Sequence, residues 1–422
     1  MFRELHPNIR IRIYTSFLSR IIGSMIFPFM AIYFTNALSA VWAGVLLMFS
    51  VVVQFSSGLY GGYLADIVGR KRMMVIGEWM KVIAFAGMLV ANSPWFTSPW
   101  ATFSMLVIIG IASGFIGPAS EAMLIDVSTK DTRAFMYAIN YWAVNMSIML
   151  GLIIGGWLYK THFFELLIAL LIMSVITLWM TATLIQETFT PEPQERSTKP
   201  YGLKPILQSY KTVIQDWPFV LFTLGGIAIL AIEFQRNNYI AVRLEQEIIP
   251  HTFSLLWNTE LMIDGVKLLS LLTVVNTIII VLFTGIAAKW IRNKPEQPVM
   301  YAGFILFGVG YGIFAFSNDF VTLLISVIIL SAGELMYVPT RQSILADIVD
   351  DSQRGAYMAF NGLVFQIGKM FGALGIIVGE AIGGIGMGVL YVLFALIGVL
   401  LVRLSIQMKE SRGKRLTSRK AI

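Results

Sequence analysis

Residues 62–72 read Gly-Tyr-Leu-Ala-Asp-Ile-Val-Gly-Arg-Lys-Arg, one acid and three cations set among small residues between two long apolar runs. The flanking runs, 38–66 and 71–92, each exceed the roughly 20 apolar residues that a helix needs to cross a bilayer. A short polar turn between two such runs ties two membrane helices together at one surface. Its Arg and Lys residues say which surface, because short loops rich in those residues are retained in the cytoplasm.

Working outward, the same alternation of apolar run and charged break extends along the chain. The remaining runs are expected at 10–36, 99–128, 134–160, 163–186, 217–243, 265–291, 298–317, 320–348, 354–381 and 385–407. The fold class is therefore an all-α membrane protein of twelve transmembrane helices in two six-helix bundles. Composition agrees: 57% of the 422 residues are hydrophobic and 13% charged, against roughly 25% charged in a soluble domain. The formal charge of +7 is spread between apolar runs, not gathered on one wet face, which argues against nucleic acid as a partner. With no cysteine, disulfides, thiolate chemistry and Cys-ligated zinc are excluded. The basic N-terminus leads into an apolar run too long for a signal peptide and without a small-residue cleavage site, so it is read as the first span.

The long break rich in Pro and charge, Glu187 to Pro205, divides the chain into an N-terminal bundle (1–186), a cytoplasmic linker (187–216) and a C-terminal bundle (217–422) with a basic tail. An inside N-terminus places Arg3, Arg10, Arg12, Arg70, Lys71, Arg72, Lys130, Arg133, Lys289, Arg292, Arg354 and the tail cations on one side, leaving Lys160, Arg243 and Lys267 for the other. Both termini are expected in the cytoplasm. The halves also repeat. GPASEAMLIDVSTKDTRAFMYAIN, ending at Asn140, lies over VPTRQSILADIVDDSQRGAYMAFN, ending at Asn361, with Pro118, Asp126 and Arg133 over Pro339, Asp347 and Arg354. This is the pattern of parallel halves related by an axis along the membrane normal.

The 62–72 stretch resembles the G-x-L-A-D-R/K-x-G-R-K motif of the major facilitator superfamily, departing from it only at Ile67. Small residues let two helix ends approach, and Asp66 is suited to accept hydrogen bonds from a helix N-terminus or the basic cluster. The resemblance implies a conformational latch formed by Gly62, Asp66, Gly69, Arg70, Lys71, Asp126 and Arg133. Its degenerate counterpart, Gly285 to Lys289, lacks the acid and carries no latch. In the fifth run, Ser147 to Gly156 partly resembles the antiporter motif G-x-x-x-G-P-x-x-G-G, although glycines at this spacing also serve plain helix packing. The fourth run has Gly110 where drug/proton antiporters carry an Arg.

LADIVGRKR, AMLIDVS, NYWAVNMSIMLG and GELMYVP together resemble LmrP-type proton-coupled multidrug antiporters over most of the chain. That resemblance makes Asp66, Asp126 and Glu334 candidate functional acids. It also marks a departure, Asn140, where such proteins carry an Asp before Tyr-Trp.

Charges inside a bilayer are costly and by default suggest function. Glu334, midway along the tenth run with Tyr337 and Arg341 on one stripe, is the first candidate for proton carrier or cation contact. Glu233 either contacts substrate or pairs with Arg236. Glu121 shares a stripe with Gly110, Gly114 and Gly117. Arg20 and Lys369 are available to neutralise embedded acids, whereas Glu78 and Lys81, i and i+3, suit a structural pair. Asn140, Asn145, Asn276, Asn361, Gln54 and Gln366 either glue helices or line a cavity.

None of the three His residues pairs with a Ser or acid at helical spacing, and there is no ATP-binding Gly-rich Lys motif, so the chain is not expected to be an enzyme or a pump. No cofactor or metal is expected; a proton gradient is the energy source. The expected function is proton-coupled export of amphiphilic, cationic compounds by alternating access. The rivals are uptake of a metabolite such as a sugar or peptide, and lipid flipping. The 22 Met and 13% aromatic residues supply adaptable apolar surface for varied ligands, while most of them serve ordinary lipid-facing and core packing. Expected partners are a small amphiphilic substrate, protons and membrane lipids, with the chain acting as a monomer in a bacterial plasma membrane.

Overall fold

The computed structural model describes residues 5–128, 130–188, 213–254, 260–349 and 354–420. Helices dominate, as a chain without water to satisfy its peptide groups requires. In order they are α1 (Pro7–Ile26), α2 (Met30–Ala37), α3 (Ala40–Val68), α4 (Arg70–Val90), α5 (Pro99–Val127), α6 (Lys130–Leu158), α7 (Phe163–Leu184), α8 (Trp217–Glu233), α9 (Tyr239–Glu247), α10 (Gly265–Ile291), α11 (Glu296–Phe314), α12 (Phe320–Ile348) and α13 (Arg354–Lys420). Two small antiparallel hairpins complete the described elements: β1 (Asn92–Ser93) with β2 (Phe96–Thr97), and β3 (His251–Ser254) with β4 (Glu260–Ile263).

Among the described residues, nine helical stretches are long and apolar enough to span a membrane, and Trp142–Leu158 and Trp217–Glu233 are shorter apolar helices. One of the nine, Phe360–Ser411, contains Gly383 at φ 68° and ψ −179°. That left-handed, glycine-favouring conformation breaks α13 into two passes, so the twelve expected runs are all accounted for. α10 and α12 occupy the expected 265–291 and 320–348.

The seventh run departs from expectation. A single helix over 217–243 was read from the sequence, but α8 ends at Glu233 and α9 begins at Tyr239. Between them Phe234 N–H bonds back to Leu230 O, Gln235 to Ile232 O and Arg236 to Glu233 O, so the ladder tightens and stops. Buried Gln235 props the break open by donating to Ala231 O (3.1 Å) and to Phe371 O of α13 (2.9 Å). The first run is also interrupted, by a 3-10 turn at Phe27–Phe29 that contains Pro28. Proline has no N–H to continue an α-helix.

Two compact units result, residues 1–199 with 250–271, and residues 200–249 with 272–422. In the first, α1 packs on α6, α4 on α5 and α7, and α3 on α5. Close approach comes from small residues. A side chain at Gly61 would overlap α5 at Gly114, and one at Gly155 would overlap α1 at Met25. The glycines of the antiporter-like segment therefore have a packing role: Gly151 and Gly155 seat α1, and Gly156 faces Ser270 of α10. Lys160 and Asp264, 3.6 Å apart, pair beside that contact. In the second unit, α13 packs on α8 and α11, and α11 on α12.

Candidate functional site

The break between α8 and α9 frees the last residue of one helix and the residues after it to face inward, an arrangement that places irregular backbone beside a polar cavity. Glu233 closes α8, and Arg236 lies within the break. Opposite them, α12 contributes Ser331, Glu334, Tyr337 and Arg341, α10 contributes Asn276, and α11 contributes Tyr311.

The groups form a connected network. Arg236 NH1 donates to Asn276 Oδ1 at 3.0 Å. Asn276 Nδ2 in turn donates to Glu334 Oε2 at 3.2 Å and to Ser331 Oγ at 2.8 Å. Tyr337 interacts electrostatically with the Glu233 side chain. Both acids interact electrostatically with Arg236, which is also close enough to Tyr311 and Tyr337 to be coupled to them. Asn276, Ser331, Tyr311 and Tyr337 are buried, while Glu233, Arg236 and Glu334 are half-buried. Beside the Glu233–Arg236 interaction that the sequence offered as one alternative, Asn276 joins Arg236 to Glu334 in a wider network.

Glu233 and Glu334 border a cleft of about 430 Å³, lined also by Leu230, Tyr337, Val338, Arg341 and Phe365. Arg341 lies over the face of Phe222, 5.4 Å from the ring centroid, and its NH2 donates to Asn361 Oδ1 at 3.4 Å. Gly226 makes room for it, since a Cβ there would overlap the guanidinium. The cleft joins carboxylates to apolar and aromatic walls, the combination that holds a cation carrying hydrophobic groups.

The first unit carries a different cluster. Glu78 and Lys81 of α4, both buried, pair at 2.9 Å. Lys81 Nζ also reaches Ser19 Oγ at 3.0 Å, and Thr177 Oγ1 lies 2.8 Å from Glu78 Oε2. This is the structural pair expected from their spacing. Arg12, placed by the sequence near the cytoplasmic start of the first run, is buried inside α1, where it donates to Thr15 (3.1 Å) and Ser16 (2.8 Å). Arg20 and Glu121 are both exposed and interact electrostatically. Asn140 on α6 and Lys369 on α13 are half-buried.

At the α3–α4 turn the latch candidates gather, with a partner that sequence reasoning missed. Gly69 has φ 110° and ψ 147°, open only to glycine without strain. It lets the chain reverse so that the N–H groups of Arg70 and Lys71 both point at the Glu187 carboxylate, at 3.0 Å each. An acid at a helix N-terminus satisfies free donors and opposes the helix dipole. Arg70 also forms an ion pair with Asp126 of α5, and Thr188 Oγ1 donates to Asp126 Oδ2 at 3.1 Å. Gly62 packs against Pro118. The side chains of Asp66 and Arg133, and the linker from residue 189 to 212, lie outside the described residues.

Comparison with known proteins fits this architecture. Residues 13–245 and 238–421 each match the model of the Major Facilitator Superfamily. A Na(+), Li(+), K(+)/H(+) antiporter of Planococcus maritimus is 30% identical over 380 residues, covering 89% of this chain and 90% of that one. The multidrug resistance protein MdtH of Proteus mirabilis is 24% identical over 359 residues, covering 83% and 81%. A solved POT family transporter in complex with 5-aminolevulinic acid superposes with a TM-score of 0.73 at 13% identity, covering 97% of this chain and 99% of that one, a likeness of fold. With its twelve apolar passes, its internal repeat and its Gly62–Arg72 turn, the chain belongs to the major facilitator superfamily and is a multi-pass membrane transporter.

Proposed function

We propose that the protein is a proton-coupled antiporter that exports cationic, amphiphilic compounds by alternating access, exchanging substrate for protons at Glu334 and Glu233. The observation that carries this reading is the pair of half-buried carboxylates on one apolar and aromatic cleft of the second unit. A carboxylate in such a place is stabilised either by a proton or by a cation, so the two compete. The likeness to LmrP-type and MdtH proteins supports drug-like substrates. The Gly62–Arg72 turn, braced by Arg70–Asp126 and Glu187, acts in this reading as the cytoplasmic latch that one conformation makes and the other releases.

A second reading has a specific observation behind it: the 30% identical relative is named for exchange of Na(+), Li(+) and K(+) against H(+). Small and lipophilic cations would compete for the same carboxylates, and both readings share the exchange step. Reconstituted into proteoliposomes with an internal pH dye, the protein should release protons when tetraphenylphosphonium is added on the trans side, and the wild type should concentrate the probe against its gradient. Proton release with sodium, lithium or potassium alone would select the alkali-cation reading. Proton uptake that accompanies inward movement of a dipeptide would overturn export altogether.

A further inference from the structure

Asn276 stands between opposite charges, and its orientation is determined by them. A guanidinium offers no acceptor and an ionised carboxylate no donor, so the amide oxygen must face Arg236 and the amide nitrogen Glu334. Ser331 adds a third constraint: its hydroxyl donates to Val327 O at 2.6 Å, leaving only lone pairs for Asn276 Nδ2. Turning the amide over would set donor against donor and acceptor against acceptor. The buried side chain, 6% exposed, has one stable orientation.

We propose that Asn276 is a positioning residue that holds Arg236 off Glu334, so that the Glu334 carboxylate stays available for exchange between proton and cation. This rests on the antiport reading above. Arg and a carboxylate in direct contact form a two-point, charge-assisted fork, and in a half-buried site that pair would occupy the acid and exclude other cations. An interposed amide fixes both partners without neutralising either. It also tolerates both states of the acid, because a protonated carboxyl keeps one unprotonated oxygen to accept from Asn276 Nδ2. Among the described residues, the charged or titratable groups that act on Glu334 include Glu233 from α8, Arg236 from the break, Tyr311 from α11 and Tyr337 from its own helix, with Arg341 lining the same cleft. Arg236 is the cation with which Glu334 interacts most directly.

Two substitutions at this position pull in opposite directions, which a merely structural role would not do. In Asn276→Ala, Arg236 is free to reach Glu334. The apparent affinity for tetraphenylphosphonium should fall about tenfold if the competent fraction falls to about a tenth, and the pH profile of exchange should move to lower pH. In Asn276→Asp, the new carboxylate takes Arg236 and repels Glu334, so the profile should move to higher pH. Adding Arg236→Gln removes the cation to be held off, so Asn276→Ala in that background should cost no further affinity. The assay is probe binding and probe-driven proton release in proteoliposomes, with sodium in parallel. Wild type that releases no protons with either cation sinks the antiport reading itself. Wild type that releases them, with both Asn276 variants superimposing on its pH profile or shifting the same way, overturns the positioning role alone. So does an affinity loss in Asn276→Ala that persists undiminished beside Arg236→Gln, and that cycle remains decisive if Asn276→Asp fails to fold.

Discussion

The two units each carry buried charge, and they treat it differently. In the first, Glu78 has Lys81 at 2.9 Å and Thr177 at 2.8 Å on the same oxygen, and Lys81 has Ser19 as well. The acid and its nearest cation are in direct contact, and buried Arg12 adds a second positive field on Glu78. In the second, two acids, Glu233 and Glu334, share the field of Arg236, which donates to the neutral Asn276. The first cluster holds α4 against α1 and α7 by direct contact. The second reaches its acid through a neutral amide and has a cleft beside it. Embedded charge is therefore read as a candidate site less by its presence than by how it is partnered and by its access to a cavity.

The sharpest way to break that contrast is to unbalance the first cluster. Replacing Lys81 by Met removes the direct partner of buried Glu78 and leaves it with Thr177 and the field of Arg12, which costs up to about 3–5 kcal/mol. A large drop in the unfolding temperature in detergent is expected, and adding Glu78→Gln should recover most of it. The double variant should transport with the wild-type pH profile. A profile that changes in the double variant would make Glu78 a coupling acid and erase the distinction.

The second cluster should respond in function and not in stability. Glu334→Gln keeps the volume and mimics the protonated acid, so the fold should stand while gradient-driven transport falls by about a hundredfold, equivalent to about 2.8 kcal/mol at 1.4 kcal/mol per decade. Accumulation of a cationic probe against its gradient by this variant would move the coupling proton to Glu233 or Glu121.

The sequence disclosed the fold more fully than the site. Twelve apolar runs, the 221-residue repeat from Asn140 to Asn361 and the Gly62–Arg72 turn are local or periodic signals, and the bounds of α10 and α12 follow from them directly. Glu334 and Glu233 stood out because charge is rare within apolar runs. Their partners did not. Asn276 was one of six amides with nothing to rank them, because its role depends on α10 passing between the α8–α9 break and α12. That break itself gave no proline or glycine signal: residues 234–238 read Phe-Gln-Arg-Asn-Asn, and the helix stops there because Gln235 turns aside to bond α13. The burial of Arg12 was not legible either: α1 begins at Pro7, three residues before the expected run, which sets Arg12 a full turn inside the helix.

A third kind of carboxylate lies at the α3–α4 turn, answered by backbone donors. Gly69→Ala tests the backbone that makes this possible. At φ 110° and ψ 147° an L-residue is strained by about 1–3 kcal/mol, and its Cβ would stand 2.7 Å from Glu187 Oε2. The variant should lose stability in that range by thermal unfolding. A neutral result would mean that the turn relaxes freely and does not hold the two helix ends.

The smallest effect is expected at Glu187 itself. Its carboxylate is exposed and accepts from Arg70 N and Lys71 N at 3.0 Å. Glu187→Gln keeps an oxygen that can accept one of these bonds but loses the charge that opposes the α4 dipole, a loss of about 0.3–1 kcal/mol at low ionic strength. Because that contribution is screened, the difference from wild type should shrink as salt rises past about 0.15 M, where the Debye length is about 8 Å. The buried Glu78–Lys81 pair, out of reach of mobile ions, should show no such salt dependence, so the same titration separates a surface carboxylate from an interior one. Gly69→Ala displaces the same carboxylate, so combining it with Glu187→Gln should cost less than the two single losses together. Strict additivity, or a Glu187→Gln effect that persists undiminished in high salt, would show that Glu187 does not cap α4 in the membrane-embedded protein.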